Sequence, residues 1–514
     1  MNRIPAELNE IINKNRAAAL PMPHQDIENI INIFLPPNTD TKEDDRLAGI
    51  LRQRRKQLCS PLRDVTDTEQ YHVAMQKIFE QEDLNIFVSR EQLCEDIFLL
   101  FDLLRHAYSG YRFFGGDDVF LPKKNAMLEN LSGMADPLRV SSFLNDLIVP
   151  ALHGAIADNH FVIHDIKFTA PAHTPYMNKE FILRKESNSF VTKIDRNTYK
   201  ILEVRLAGSG KNTEPVEGTL PTLTPEGEFA WVFGLVTANG KTNTQEIMVF
   251  FENTETGETS SRRVNLTKIN SPKLSKRPMV STHEADGIPV LEIGRLLPLA
   301  EGLDDFTQPI QILKNKPVFV LDLRGLGGGY ATFPGLWVQE YAGKTPEEKL
   351  LFAKAHRKSK TANQLRNFLI PIGISEMIGG MADTVRTINN IAADNGNEPS
   401  QIPIFNNNLI IVLTDNNTDS EGDLFVGCLR QLKNVLFAGT NTKGAFLTGG
   451  FGRTSLPHSG LGIMFGTELN LRPDLSQFEG AGFMPDLWIP PEESLERVLR
   501  FIERAGLAKQ PDLE

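Results

Sequence analysis

Residues 408–439 read N-LIIVLTDNNTDSEGDLFVGCLRQLKNVLFAG, and the fold follows from how this stretch is divided. Leu409 to Thr414 is an unbroken apolar run rich in β-branched residues, which predicts a strand buried on both faces. Asp415, Asn416 and Asn417 then form a polar turn. Leu424, Phe425, Cys428, Leu429 and Leu432 recur at helical spacing, and Val435 to Ala438 begins a second strand. A strand–turn–helix–strand unit of this kind sets its turn at the carboxyl end of a strand and the amino end of a helix. Ser420 falls at that point, where a small side chain faces solvent and feels the positive end of the helix dipole. With Asp423 three residues on, Ser420 also reads as a capping-box-like helix start. A nucleophile can cap the helix it precedes, so the two readings are compatible.

The rest of the chain bounds what such a unit could serve. At 514 residues and a formal charge of −11, the sequence predicts an acidic, soluble protein of more than one domain. Its 40% apolar content suffices for a sizeable core. Acidity and the lack of a basic stripe argue against a nucleic-acid partner. The short run Arg52, Arg54, Arg55 and Lys56 reads as a solvated helix face. Cys59, Cys94 and Cys428 are spaced for neither a metal site nor a disulfide framework, which suits a reducing compartment. The first twenty residues lack the apolar run of a signal peptide, and no later segment predicts a membrane span. The expectation is a cytoplasmic protein, or one exported by a route without such a peptide. No membrane partner is expected, and homo-oligomerisation is left open.

Taken in order, residues 1–65 are polar and broken by Pro21, Pro23, Pro36 and Pro37, and predict short helices and loops of an appendage. From 66 to 160 the period is helical. Ser89 with Gln92 predicts a capped helix whose stripe runs through Leu93, Cys94, Ile97, Phe101 and Leu104 to His106. An aromatic and glycine-rich loop, AYSGYRFFGG, follows, and a second helical run covers Val140 to Ile156. From 161 to 280 short β-type runs are separated by turn clusters such as GKNTEPVEG and NTETGET. From 281 to 514 strands and helices alternate as in an α/β core, with a helical insertion at 344–395. Within it, Val318 to Leu323 is a buried strand leading into RGLGGG, and a helix from Pro491 to Arg504 closes the chain.

Four segments now line up: VFVLDLRGLGGG, VLTDNNTDSEGDLF, FAGTNTKGAF and FEGAGFMPDLWI. In this order and spacing they resemble the C-terminal processing (tail-specific) peptidases and their relatives. These include the tricorn core protease, the interphotoreceptor retinoid-binding protein modules and, closest in pattern, the chlamydial protease-like activity factor. The resemblance covers 285–495 well, 70–165 weakly and 1–65 hardly at all. It implies an α/β, crotonase-like (ClpP/crotonase) core with an N-terminal helical region and an inserted β-rich module. That module stands where many relatives carry a PDZ-like domain, and FFENTETGETSSRRVNLTKI resembles the closing hairpin of one.

Carried over residue by residue, the family's nucleophile falls on Ser420. Its oxyanion-hole glycine falls on Gly328, with the backbone N–H of Glu421 as the second donor. That agrees with the chemistry, since acyl transfer needs two backbone donors aimed at a developing oxyanion. RGLGGG lacks the Lys-Ser/Thr of a phosphate loop, which sets phosphate binding aside. The tail-specific branch takes its base from a lysine after a Thr-x-Gly turn, but Ala445 stands at that position and Lys443 lies two residues early. The tricorn-like branch takes a histidine from the helical region and a glutamate near the C-terminal end. His106 in LLRHAYSGY and Glu479 in FEGAGFMPD match these, with His160 or His164 in DNHFVIHD as alternates. The implied enzyme is a serine endopeptidase acting on polypeptides through an acyl-enzyme, without metal or cofactor. Two rivals stand beside it: a non-catalytic binding protein on the same fold, and a Ser420/Lys443 peptidase. One departure is that the family's usual Ser-x-x-Glu reads Ser420-Glu421-Gly422-Asp423.

Overall fold

The computed structural model describes residues 4–36, 40–58, 83–206, 212–213, 218–238, 240–272, 277–296, 304–329, 331–366 and 402–508. Its central element is a six-stranded sheet ordered Val280–Ala285, Ile288–Ile293, Val318–Asp322, Leu409–Thr414, Val435–Gly439 and Leu487–Trp488. The first two strands form an antiparallel hairpin, and every later pairing is parallel. Alternation along the strands divides the core in two. Phe319, Leu321, Ile410, Val412 and Phe437 pack on one face with Trp337 and Tyr341 of the helix Thr332–Ala342 and Leu424, Phe425 and Cys428 of Glu421–Leu429. Val318, Val320, Ile411, Leu413 and Leu436 pack on the other with Val498 and Ile502 of Pro491–Arg504. A parallel sheet covered by helices on both faces explains why its strands are uniformly apolar.

An antiparallel sheet stands beside it, ordered Ala353–His356, Gly462–Leu471, Val162–Ile163 and Ile166–Lys167, with Thr448–Ser455 also paired to Gly462–Leu471. The β-type run expected to open the inserted module at 161 is therefore a hairpin of this sheet, with Ile163 opposite Ile463. Apolar alternation identifies a strand but does not choose its partner. The segment 344–366 likewise differs from the helical insertion expected there. It carries the edge strand Ala353–His356 before a short helix, Lys360–Arg366. The remainder of that insertion, to 395, lies outside the described residues.

The inserted module is antiparallel throughout. His173–Glu186, Ser189–Ile194, Asn197–Leu206, Thr244–Asn253 and Thr259–Lys268 pair in succession, and the last returns to the first through Thr267 and Met177. These five strands close into a ring; Phe229–Ala238 pairs on the outer side of His173–Glu186, Thr219–Leu223 beyond it and Asn212–Thr213 beside Asn197–Leu206, and Phe181, Leu183, Ile201, Phe233, Val249, Phe251 and Leu266 form the core. Its described residues contain no helix. The hairpin expected within 250–269 is present as the last two of these strands.

The helical region begins as expected. Ser89 accepts from the Gln92 N–H in a full capping box, and the helix Arg90–His106 follows, then Gly116–Ser132. The described residues 4–36 and 40–58 are more than an appendage. Leu8 and Ile12 of Ala6–Ala19 insert into the core beneath the parallel sheet. Ile31 of Ile27–Phe34 packs on Leu469 and Leu471, and Leu47 and Leu51 of Thr41–Leu58 join the helical core. Each helix offers only a narrow stripe at i, i+4, which polar composition conceals. No helix among the described residues is long and apolar enough to cross a membrane.

Candidate active site

Two turns at the carboxyl ends of adjacent parallel strands are bonded into one unit. Asp415 Oδ1 accepts from the Gly325 N–H at 2.8 Å and from Asn417 N–H at 3.0 Å. The Thr418 hydroxyl donates to the Leu323 carbonyl at 2.8 Å, and Asp419 N–H donates to the Leu326 carbonyl at 2.9 Å. Gly422 permits this contact, because a Cβ there would stand 2.8 Å from the Leu326 carbonyl oxygen. The polar turn and the glycine turn are thus locked together, and Ser420 emerges between them.

Ser420 has φ 58° and ψ −120°, a left-handed conformation that costs roughly 1–3 kcal/mol and persists only where its surroundings hold it. Its side chain makes no capping hydrogen bond, so the capping-box expectation fails. Asp423 is turned instead to the segment TNTKGAF, accepting from Gly444 N–H at 3.1 Å and Ala445 N–H at 2.9 Å. Gly328, at φ 87°, faces the serine so closely that an added Cβ would meet Ser420 Cβ at 2.9 Å. Among the described residues, the Gly328 N–H has no acceptor within the chain.

The ring that reaches Ser420 belongs to His160, whose Nε2 lies 3.2 Å from Ser420 Oγ. His160 precedes the strand Val162–Ile163, on a loop fixed by two carboxylates. Asp158 Oδ1 accepts from the His160 N–H at 2.9 Å, while its Oδ2 accepts from the Tyr108 and Thr448 hydroxyls, each at 2.8 Å. Glu479 Oε1 accepts from Asn159 N–H at 2.8 Å, and its Oε2 from Phe446 N–H at 2.9 Å and Leu447 N–H at 2.7 Å. Phe451 lies against the imidazole with ring centroids 4.6 Å apart. Burial lowers the His160 pKa, and Lys443 lowers it further, against the opposing pull of Asp158 and Asp419. Burial and the neighbouring Asp158 push the Glu479 carboxyl up, and its three N–H donors pull it back.

His106 is placed elsewhere. It ends its helix as expected, but its ring lines a cleft of about 580 Å³ with Arg105, Arg112 and Arg357, and makes no hydrogen bond to Ser420. The helix-end context that singled it out governs the dipole and not the direction of the ring. His164 sits in the turn between two short strands, its Nε2 3.7 Å from Asp165. The readable signal for His160 was local: an aspartate two residues before it accepts its N–H in an Asx-type turn, which fixes the backbone just before a strand.

Lys443 Nζ pairs with Asp419 Oδ2 at 2.6 Å, and its N–H donates to the Thr418 carbonyl. The Glu421 carboxylate lies on the serine itself: the Ser420 hydroxyl donates to Glu421 Oε2 at 2.6 Å. Among the described residues, no group of three His, Cys, Asp or Glu side chains is arranged to hold a metal ion.

Residues 298–489 match the family model described as Peptidase family S41. That span contains Gly328, Ser420 and Glu479 but not His160. Among solved structures, mature CPAF is similar at 14% identity, covering 81% of this chain and 96% of that one, with a TM-score of 0.40. The photosystem II D1 C-terminal processing protease is similar at 14% identity, covering 79% and 94%, with a TM-score of 0.34. The tricorn protease is similar at 12% identity, covering 80% of this chain and 37% of that one, with a TM-score of 0.31. No curated protein matches the sequence.

Proposed function

We propose that this chain, whose residues 298–489 match peptidase family S41, is a serine-type peptidase in which Ser420 attacks peptide carbonyls with His160 as its base. The observation that carries this reading is the 3.2 Å approach of His160 Nε2 to Ser420 Oγ beside Gly328. A serine hydroxyl is a weak nucleophile and needs a neutral acceptor within reach. Burial keeps the imidazole neutral and ready to accept. On attack the hydroxyl proton passes to His160, and the carbonyl oxygen becomes an oxyanion between the Gly328 and Glu421 N–H groups. His160 then returns the proton to the leaving amine, and water hydrolyses the acyl-enzyme with the same base.

In this reading Glu479 supports the base through the backbone of Asn159 rather than through the imidazole. A base drawn from the region before the inserted module, with Glu479 near the C-terminal end, fits the tricorn-like pattern on a crotonase-like core. The substrates are polypeptides. A Ser420/Lys443 dyad is disfavoured, because the ammonium is engaged by Asp419.

The test is Ser420→Ala in the full chain, with cleavage of labelled casein and fluorophosphonate labelling as readouts. Both should vanish while the melting curve is unchanged. Retained cleavage would exclude Ser420 as the nucleophile.

A further inference from the structure

The Ser420 hydroxyl has one proton and two acceptors. It donates to Glu421 Oε2 at 2.6 Å, while His160 Nε2 waits at 3.2 Å. A proton held by a carboxylate cannot be passed to an imidazole in the same instant, so the resting geometry and the proposed mechanism need different partners for one hydroxyl. We propose that the Glu421 side chain is a further catalytic group that controls the nucleophile. As a carboxylate it holds the Ser420 proton away from His160; as a neutral acid it donates to Ser420 Oγ and frees the hydroxyl to donate to His160. This rests on the reading of Ser420 as nucleophile and His160 as base.

The proton count closes in both forms. In the withheld form the bond runs from Ser420 O–H to Glu421 O⁻, and Nε2 receives nothing from the serine. In the released form it runs from Glu421 O–H to Ser420 Oγ and from Ser420 O–H to Nε2. Attack then moves the serine proton to His160, and the Glu421 proton stays in place. It remains hydrogen-bonded to the oxygen that becomes the ester oxygen of the acyl-enzyme.

The surroundings of Glu421 suit a group that changes charge. Its carboxyl is raised by burial; the Ser420 hydroxyl, Lys354 and its own backbone N–H pull it back, and Glu468 pushes it up again. Lys354, on the edge strand Ala353–His356, is paired to Glu348, and Glu468, on Gly462–Leu471, to His356. On the far side of the serine stand His160 and the Lys443–Asp419 pair. A charged Glu421 occupies the hydroxyl of the nucleophile. It also sets a negative charge beside the site where another must form.

The sign follows. The competent form has Glu421 protonated and His160 neutral. Protonation of the imidazole on the acid side and ionisation of Glu421 on the alkaline side both deplete this form, so kcat/KM should climb and fall again. Replacing Glu421 by Gln supplies a permanent donor at the same position and removes the second ionisation.

The experiment compares wild type with E421Q and E421A in the full-length protein, reading kcat/KM for labelled casein from about pH 5 to about pH 10. Wild type should lose about tenfold on the alkaline side, the scale of one charge-assisted hydrogen bond to the nucleophile. Both variants should lose the alkaline fall and retain the acid limb set by His160, whatever their absolute rates. An alkaline limb unchanged in both folded variants would overturn the proposal. So would loss of activity at every pH in both, since Glu421 would then be required as the base. S420A, assayed in parallel, separates the failures: activity surviving there removes the nucleophile assignment itself.

Discussion

His160 Nε2 and Ser420 Oγ, 260 positions apart in the chain, stand 3.2 Å from each other across the junction of the parallel and antiparallel sheets. Neither residue could hold this position alone. Ser420 depends on a left-handed backbone locked by Asp415 and Thr418, and His160 on a loop whose N–H groups are taken by Asp158 and Glu479.

The first prediction separates the two histidines. His160→Ala should lower kcat by about a thousandfold or more, the scale of removing the base of a serine nucleophile. His106→Ala should leave kcat within about threefold, because its ring lies in a different cleft. Steady-state kinetics of both purified variants checks this. The reverse order would return the base to His106.

Much of this was legible and some was not, for reasons that differ by residue. The strand Leu409–Thr414, the turn after it and the serine at its end follow from short-range pattern alone, because a strand buried on both faces has few other ways to be written. The glycine turn was legible for the same reason. His160 was harder, since ten histidines carry no periodicity and proximity to Ser420 is a tertiary fact. Pairing hid as well: the 162–167 hairpin looks like any strand pair until Gly462–Leu471 claims it. The packing of the N-terminal helices is hidden in the sequence because each buries a stripe too narrow to shift the composition.

A second prediction concerns Gly328. Gly328→Ala places a methyl in a left-handed conformation and 2.9 Å from Ser420 Cβ, so the turn must shift. Displacing one oxyanion donor should lower kcat roughly a hundredfold, with a smaller change in KM. Burst-phase kinetics with an activated ester would show acylation as the step that slows. An unchanged burst would mean that the glycine turn supplies no donor.

A third prediction uses Lys443. Its charge, together with burial, holds the His160 pKa down, and it also neutralises Asp419, which pulls that pKa up. Lys443→Met removes the cation and leaves Asp419 unpaired, so both changes raise the pKa of the base. A base is active when neutral, so the acid limb of kcat/KM should move to higher pH, by up to about one unit. The rate above that limb should stay within about tenfold. Loss of nearly all activity at every pH would instead make the lysine the base.

The last prediction concerns Glu479, where resemblance and geometry ask for different things. Resemblance gives it the imidazole to orient. Geometry gives it three backbone N–H groups: Asn159 on one oxygen, Phe446 and Leu447 on the other. Glu479→Gln keeps the shape but can accept at one end only, and the other end presents its own N–H to a donor. A buried donor left without an acceptor costs about 1–3 kcal/mol. If the amide oxygen keeps the two donors of Phe446 and Leu447, the orphan is Asn159 N–H, one residue before His160. The loop carrying the base then loosens, and kcat should fall between about tenfold and a hundredfold with KM little changed. The melting temperature should fall with it, because the same lost bond anchors the loop. An orienting carboxylate in direct contact with the imidazole predicts otherwise: a large fall in kcat with an unchanged melt. Kinetics and a melting curve on one preparation therefore decide whether Glu479 acts through the backbone of Asn159 or on the ring of His160.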